Sequence, residues 1–93
     1  MTLYKLDITT DALNFTKKIP PKQFKQIFTA IMDLLINPKP HDSRLLKGYI
    51  DLYRKEVGEY RIIYRFDDAI VYVLLIGKRN DDDVYKQLTR KFH

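Results

Sequence analysis

Residues 53–66 read YRKEVGEYRIIYRF, and this run indicates a β-hairpin. Gly58 and Glu59 suit a two-residue turn, which sets Glu56 opposite Arg61 on the facing strand. Successive side chains of a strand point to opposite faces of the sheet. One face then carries Val57, Tyr60, Ile62, Tyr64 and Phe66, and the other carries Arg54, Glu56, Arg61, Ile63 and Arg65. The hairpin therefore predicts one face for a hydrophobic core and one basic face suited to phosphate.

The segment before the hairpin predicts a strand and two helices. Residues 3–8 alternate like a first strand, and residues 9–11 offer N-caps for a short helix over Ala12–Lys18. Pro20 and Pro21 end that helix and begin a second one, since proline fits a first helical turn. Apolar residues then repeat at spacings of three and four, which indicates an amphipathic helix: Phe24, Ile27, Phe28, Ile31, Met32 and Leu35.

The segment after the hairpin predicts one more strand and a third helix. Asp67-Asp68 forms a second turn that leads into the apolar run over residues 70–76. Asp81 to Asp83 suit a helix N-terminus rather than a metal site, and three apolar residues would dock that helix: Val84, Leu88 and Phe92. The order β-α-α-β-β-β-α predicts a single α+β domain with a small, mainly antiparallel sheet and a helical hairpin packed on one face.

Composition and charge narrow the function classes. The chain has 93 residues, 17 Lys and Arg against 12 Asp and Glu, and a net charge of +5. It has no cysteine, which excludes disulfides and thiolate metal sites. We find no signal peptide pattern and no apolar run near the roughly 20 residues that span a bilayer, and we expect a cytoplasmic protein. The basic surplus favours nucleic acid, an anionic surface or an acidic protein as partner.

Several motifs together resemble the RelE/ParE toxin superfamily, and the RelE branch in particular. They are Leu46-Lys47-Gly48, Leu52-Tyr53-Arg54, the run from Val57 to Tyr64, and Gly77-Lys78-Arg79. The resemblance implies a RelE-like toxin of a type II toxin–antitoxin system. Such a protein is a ribosome-dependent endonuclease that cleaves mRNA in the A site without a metal or other cofactor. The RNA 2′-hydroxyl attacks the adjacent phosphate, which leaves a 2′,3′-cyclic phosphate and blocks translation.

The resemblance also implies partners. A RelB-like antitoxin would wrap and neutralise the toxin, and operator DNA would be reached only through that antitoxin. Ribosome-bound mRNA and ribosomal RNA would be the other partners, with no membrane involved.

The resemblance assigns site residues by position. Arg54, Arg61, Arg79 and Tyr85 match catalytic positions of the family, with Arg54 at the position of the family's first catalytic lysine. Glu56 is a departure, because the family has a second catalytic lysine at this position. We expect three further cations to bind RNA: Lys47, Lys55 and Lys78.

Elementary chemistry separates the roles of these residues. Guanidinium groups suit the charge on a phosphate, but arginine is a poor general base because its pKa lies above about 12. Glu56 is able to accept a proton, although Arg61 opposite it should lower its pKa and weaken it. Lys47, Lys78 and His41 therefore stay open as the base.

Three other interpretations also stay open. A ParE-like toxin would poison DNA gyrase and cleave no RNA, and a degenerate family member would be non-toxic. In the third interpretation, Arg54 and Arg61 are ordinary surface charge with a cross-strand ion pair to Glu56.

Overall fold

The computed structural model describes residues 3–79, 86 and 90. Residues 3–79 form two helices and one five-stranded sheet, which is an α+β fold. The elements are β1 (Lys5–Ile8), α1 (Thr10–Thr16), α2 (Pro21–Ile36), β2 (Arg44–Leu45), β3 (Tyr53–Val57), β4 (Tyr60–Phe66) and β5 (Ile70–Lys78). Within the described part of the chain, every helix is too short or too polar to cross a membrane.

The sheet has the strand order β1-β5-β4-β3-β2. Strands β2 to β5 are antiparallel to their neighbours, and β1 adds a parallel edge beside β5. The predicted hairpin register is confirmed, with Val57 opposite Tyr60 and Glu56 opposite Arg61. Gly58 has φ 59°, a left-handed conformation that glycine adopts without steric cost.

Strand β2 corrects the predicted element order. Residues 3–79 run β-α-α-β-β-β-β, because Arg44 and Leu45 pair with Arg54 and Tyr53 along the outer edge of β3. A two-residue strand carries no readable periodicity, so the sequence did not predict it. The last predicted helix starts at Asp81–Asp83, outside the described residues, as do its docking residues Val84, Leu88 and Phe92; Lys86 and Arg90 are helical.

The two helices begin where local chemistry favours them. The hydroxyl of Thr9 accepts a hydrogen bond from the Ala12 N–H at 3.1 Å and caps α1, which lies two residues earlier than predicted at both ends. The same hydroxyl donates to the Leu74 carbonyl at 2.6 Å and so fixes α1 to β5. Helix α2 begins at Pro21, as predicted, and ends at Ile36.

Each face of the sheet carries its own hydrophobic cluster. The helix-side core joins α1 and α2 to the predicted apolar face of the hairpin, including Tyr60, Ile62 and Tyr64. The opposite face is not basic throughout, because Ile63 packs there in a second cluster with Leu46, Leu52, Leu74 and Leu75. The loop between β2 and β3 supplies Leu46 and Leu52 and covers this part of the sheet. The arginines therefore occupy only part of the face that the sequence assigned to them.

Tyr64 fastens the loop that precedes β2 to the helix-side core. Its side chain is buried, and its hydroxyl donates to the Pro38 carbonyl at 2.7 Å. Burial raises the pKa of the Tyr64 hydroxyl, which therefore stays a donor. The Ser43 hydroxyl donates to the Pro40 carbonyl at 2.9 Å further along the loop. These bonds fix the path of the chain into Asp42 and β2.

We predict that Tyr64→Phe lowers the free energy of unfolding by about 1–3 kcal/mol, because the buried Pro38 carbonyl loses its donor. Urea denaturation measures the change. Tyr53→Phe is the matched control, since Tyr53 packs on the same face and its hydroxyl makes no hydrogen bond among the described residues. Equal losses in the two variants would show that the Tyr64 hydrogen bond contributes nothing.

Candidate functional site

Two arginines converge on one carboxylate at the turn end of the β3–β4 hairpin. Arg61 on β4 donates from Nη2 to Glu56 Oε1 at 2.9 Å. Arg79 follows directly after β5, and its Nη1 lies 3.7 Å from Glu56 Oε2. The Arg79 N–H also donates to the Glu59 carbonyl at 2.7 Å, which joins the end of β5 to the hairpin turn. The two oxygens of Glu56 thus face two different guanidinium groups.

The burial of the Arg61 side chain explains why it is paired with a carboxylate. The Arg61 side chain is only 11% exposed, whereas Glu56 and Arg79 are 42% and 47% exposed. A buried cation needs a counter-charge and hydrogen bonds in place of water, and Glu56 supplies both. The hydrogen bond from Arg61 holds the pKa of Glu56 below its ordinary value, and the charges of Arg61, Arg79 and Arg54 lower it further. Glu56 is therefore a carboxylate at neutral pH and a weak base.

Arg54 extends the cluster toward the sheet edge. It is half-buried, and it lies two residues before Glu56 on β3 and so on the same face. Arg44, which the sequence did not place in the site, lies directly opposite Arg54 on β2. Both arginines line a cavity of about 340 Å³ together with Asp42 and Glu56. The pairing of β2 with β3 brings Arg44 to this position, and a two-residue strand has no periodicity from which that pairing could be predicted.

The three predicted RNA-binding lysines do not share one face. Lys55 lies opposite Ile62 and Lys78 lies opposite Tyr60, so both lysines occupy positions on the helix side of the sheet. Lys55 Nζ forms an ion pair with Asp42 Oδ2, which lowers the pKa of Asp42. Lys47 is exposed in the loop between β2 and β3.

Two more predicted groups complete the placement. His41 is exposed in the loop before β2, next to Asp42. Tyr85 lies outside the described residues. Within residues 3–79, 86 and 90, no three His, Asp or Glu side chains are grouped closely enough to hold a metal ion.

Comparison with known proteins identifies the family. The family model of the ParE toxin of the type II toxin–antitoxin system parDE matches residues 6–83. The chain belongs to the RelE/ParE toxin superfamily. A Methanocaldococcus jannaschii protein named as a RelE1 toxin is 31% identical over 82% of this chain and 90% of its own length.

Two further relatives of this RelE-like toxin are informative. The mRNA interferase toxin RelE of Escherichia coli is 26% identical over 95% of this chain and 96% of its own length. A free mutant form of E. coli RelE shares the fold, with a TM-score of 0.81, 24% identity and coverage of 99% and 100%. The Mycobacterium tuberculosis toxin–antitoxin complex RelBE2 matches with a TM-score of 0.74 and 27% identity, over 87% of this chain and 97% of that chain.

We predict that Glu56→Gln lowers the free energy of unfolding at about pH 7 by roughly 1 kcal/mol or less, since solvent screens a half-exposed partner. The pKa of Glu56 is lowered from its ordinary value of 4.5, so its stabilisation is present above that pH and is lost as pH falls through the lower folded-state value. The difference from wild type should therefore shrink below about pH 4.5.

Urea denaturation at several pH values measures this dependence. Glu59→Gln is the matched control, because Glu59 is exposed in the same turn and has no ion pair among the described residues. A difference between wild type and Glu56→Gln that stays constant down to acid pH would contradict the ion pair.

Proposed function

We propose that this RelE-like toxin is a ribosome-dependent, metal-free mRNA endonuclease of the cytoplasm that cleaves in the ribosomal A site. The observation that carries the proposal is the convergence of Arg61 and Arg79 on the two oxygens of Glu56. In this geometry two guanidinium groups face the oxygens of one carboxylate. Cleavage of a phosphodiester requires similar donors around the phosphate oxygens. The mRNA interferase name of the E. coli relative supports the same activity.

The reaction needs no covalent enzyme intermediate. The RNA 2′-oxygen forms a bond to the adjacent phosphorus, and the bond from phosphorus to the 5′-oxygen breaks. The 2′-hydroxyl gives up a proton and the 5′-oxygen takes one, so the products are a 2′,3′-cyclic phosphate and a 5′-hydroxyl. Arg61 and Arg79 stabilise the negative charge that grows on the phosphate oxygens, and Arg54 positions the phosphate.

Glu56 acts in this proposal as a positioning residue. Its pKa is held low by Arg61, so it is a poor acceptor for the 2′-hydroxyl proton. Its two oxygens instead orient Arg61 and Arg79 toward a shared anion. Lys47, Lys78 and His41 are the remaining proton carriers. The ribosome supplies the in-line alignment of the 2′-oxygen with the phosphate. In well-oriented reactions such alignment lowers the activation barrier by about 7 kcal/mol or more.

Two recognition roles complete the proposal. Tyr85 stacks on a base of the codon, an interaction worth roughly 1–3 kcal/mol per base. Lys47, Lys55 and Lys78 contact mRNA and ribosomal RNA. The M. tuberculosis relative was solved as a toxin–antitoxin complex, and we propose a RelB-like antitoxin here, which also provides the link to operator DNA.

We expect wild-type protein to produce new mRNA ends within codons in a translation reaction, mapped by primer extension. Arg61→Ala should lower the cleavage rate by about 10²–10³-fold, the usual loss when one donor to the developing charge is removed. The cleavage rate of Arg61→Lys should lie between those of wild type and Arg61→Ala, because lysine keeps the buried charge but lacks the planar guanidinium group.

Arg65→Lys is the matched control for Arg61→Lys. Arg65 lies on the same strand and stacks over the Tyr72 ring at 4.0 Å, away from Glu56. The Arg65→Lys variant should cleave mRNA at the wild-type rate. Intact mRNA in the wild-type reaction at doses that arrest translation would contradict the proposal.

A ParE-like gyrase poison is the second candidate function. The matching family model is that of a ParE toxin, and Glu56 replaces a lysine of the RelE family, so two observations favour it. Under the main proposal, purified gyrase should show no additional cleaved DNA when the toxin is added. Accumulation of cleaved DNA together with intact mRNA would support the ParE-like function instead.

A further inference from the structure

Arg44 and Arg54 form a like-charge pair directly across the β2–β3 ladder. Like charges at opposed positions destabilise a sheet, because their Cβ atoms lie about 5 Å apart. Sequences break such local rules mainly at functional sites. We therefore expect the Arg44–Arg54 pair to have a function that accounts for its cost to stability.

The neighbouring carboxylates do not neutralise this pair. Asp42 forms its ion pair with Lys55, and Glu56 forms its ion pairs with Arg61 and Arg79. Over residues 3–79, neither Arg44 nor Arg54 has a carboxylate at ion-pair distance. Both guanidinium groups nevertheless line one cavity of about 340 Å³. Asp42 and Glu56 line the same cavity, but both are ion-paired with other cations, so Arg44 and Arg54 are the lining cations without an ion pair over residues 3–79.

Sheet geometry separates this cavity from the phosphate proposed at Arg61. Arg44 and Arg61 lie two strands apart, about 10 Å, and their pairing positions differ by two residues, about 7 Å. Arg54 lies between them, opposite Arg44 and two residues from Glu56. One phosphate group is too small to contact both Arg44 and Arg61, but two phosphates of one strand can contact them separately.

We propose that Arg44 and Arg54 form a second phosphate subsite, which binds the phosphate adjacent to the scissile one on the same RNA strand. The inference rests on the proposed RNA-cleaving function. Arg54 contacts both phosphates, and Arg44 contacts only the second. Arg44 is therefore a substrate-positioning residue that fixes how far the strand advances across the sheet.

The first test measures cleavage of ribosome-bound mRNA at varied complex concentration. Arg44→Ala should raise KM by roughly three- to tenfold, the effect of one exposed charged contact, and leave kcat within about twofold. Arg44→Lys should recover part of the loss because it keeps the charge. Lys39→Ala is the matched control for charge, since Lys39 is exposed in the preceding loop and takes no part in the cluster. The midpoint temperature of thermal unfolding of Arg44→Ala should be unchanged or slightly raised, since a like-charge pair is removed.

The second test measures binding without cleavage. The probes are two 2′-deoxy oligonucleotides, a dinucleotide with one internal phosphate and a trinucleotide with two. Wild type should bind the trinucleotide several-fold more tightly than the dinucleotide, and Arg44→Ala should lose this difference.

The two tests separate the subsite from the proposed function. Cleavage by wild type with an unchanged KM in Arg44→Ala, or an equal gain from the second phosphate in both proteins, overturns the subsite and leaves the endonuclease intact. Absent cleavage together with an Arg44-dependent gain from the second phosphate retains the subsite and overturns the endonuclease. Absent cleavage without any gain in wild type overturns both.

Discussion

The register of the β3–β4 hairpin is the constraint on which the rest of the molecule depends. It places Tyr60, Ile62 and Tyr64 in the helix-side core and Glu56 opposite Arg61 on the other face. A slip of one residue would move every side chain of β4 to the opposite face, burying arginines against the helices. The Gly58 turn and the aromatic core exclude that slip. The same contacts that stabilise the fold therefore fix the spacing of the cationic face.

Two carboxylates form ion pairs with three of the cations in this region. Asp42 holds Lys55 toward the helix side, and Glu56 holds Arg61 and Arg79 on the other face. Arg61 is the most deeply buried of these cations, at 11% exposed, and Lys55 follows at 16%, whereas the Asp42 side chain is 65% exposed. The consequence is a face on which Glu56 brings two guanidinium groups together, with Arg54 two residues away on the same strand.

The sequence predicted those parts of the fold that have a periodic or local signal. The hairpin register, the Pro21 start of α2 and the cap at Thr9 all follow from neighbouring residues. Strand β2 did not follow, because a two-residue pairing is decided by where the Tyr64-anchored loop leads the chain. The second hydrophobic cluster was missed for a related reason, since Leu46 and Leu52 lie in a loop with no pattern. The arginine cluster was thus predicted, but its extension to Arg44 was not.

Glu56 changes how such a site has to work. A lysine at this position would supply a mobile proton and another positive charge, and a carboxylate supplies neither. Its negative charge instead permits Arg61 to be buried and brings Arg79 to the same point. In the proposed RNA cleavage, this face would stabilise phosphate charge without its own strong base, and the rate would depend on how the RNA strand is aligned. Contacts that hold the strand beside the scissile phosphate would gain importance for that reason, and the proposed subsite of Arg44 and Arg54 would supply them.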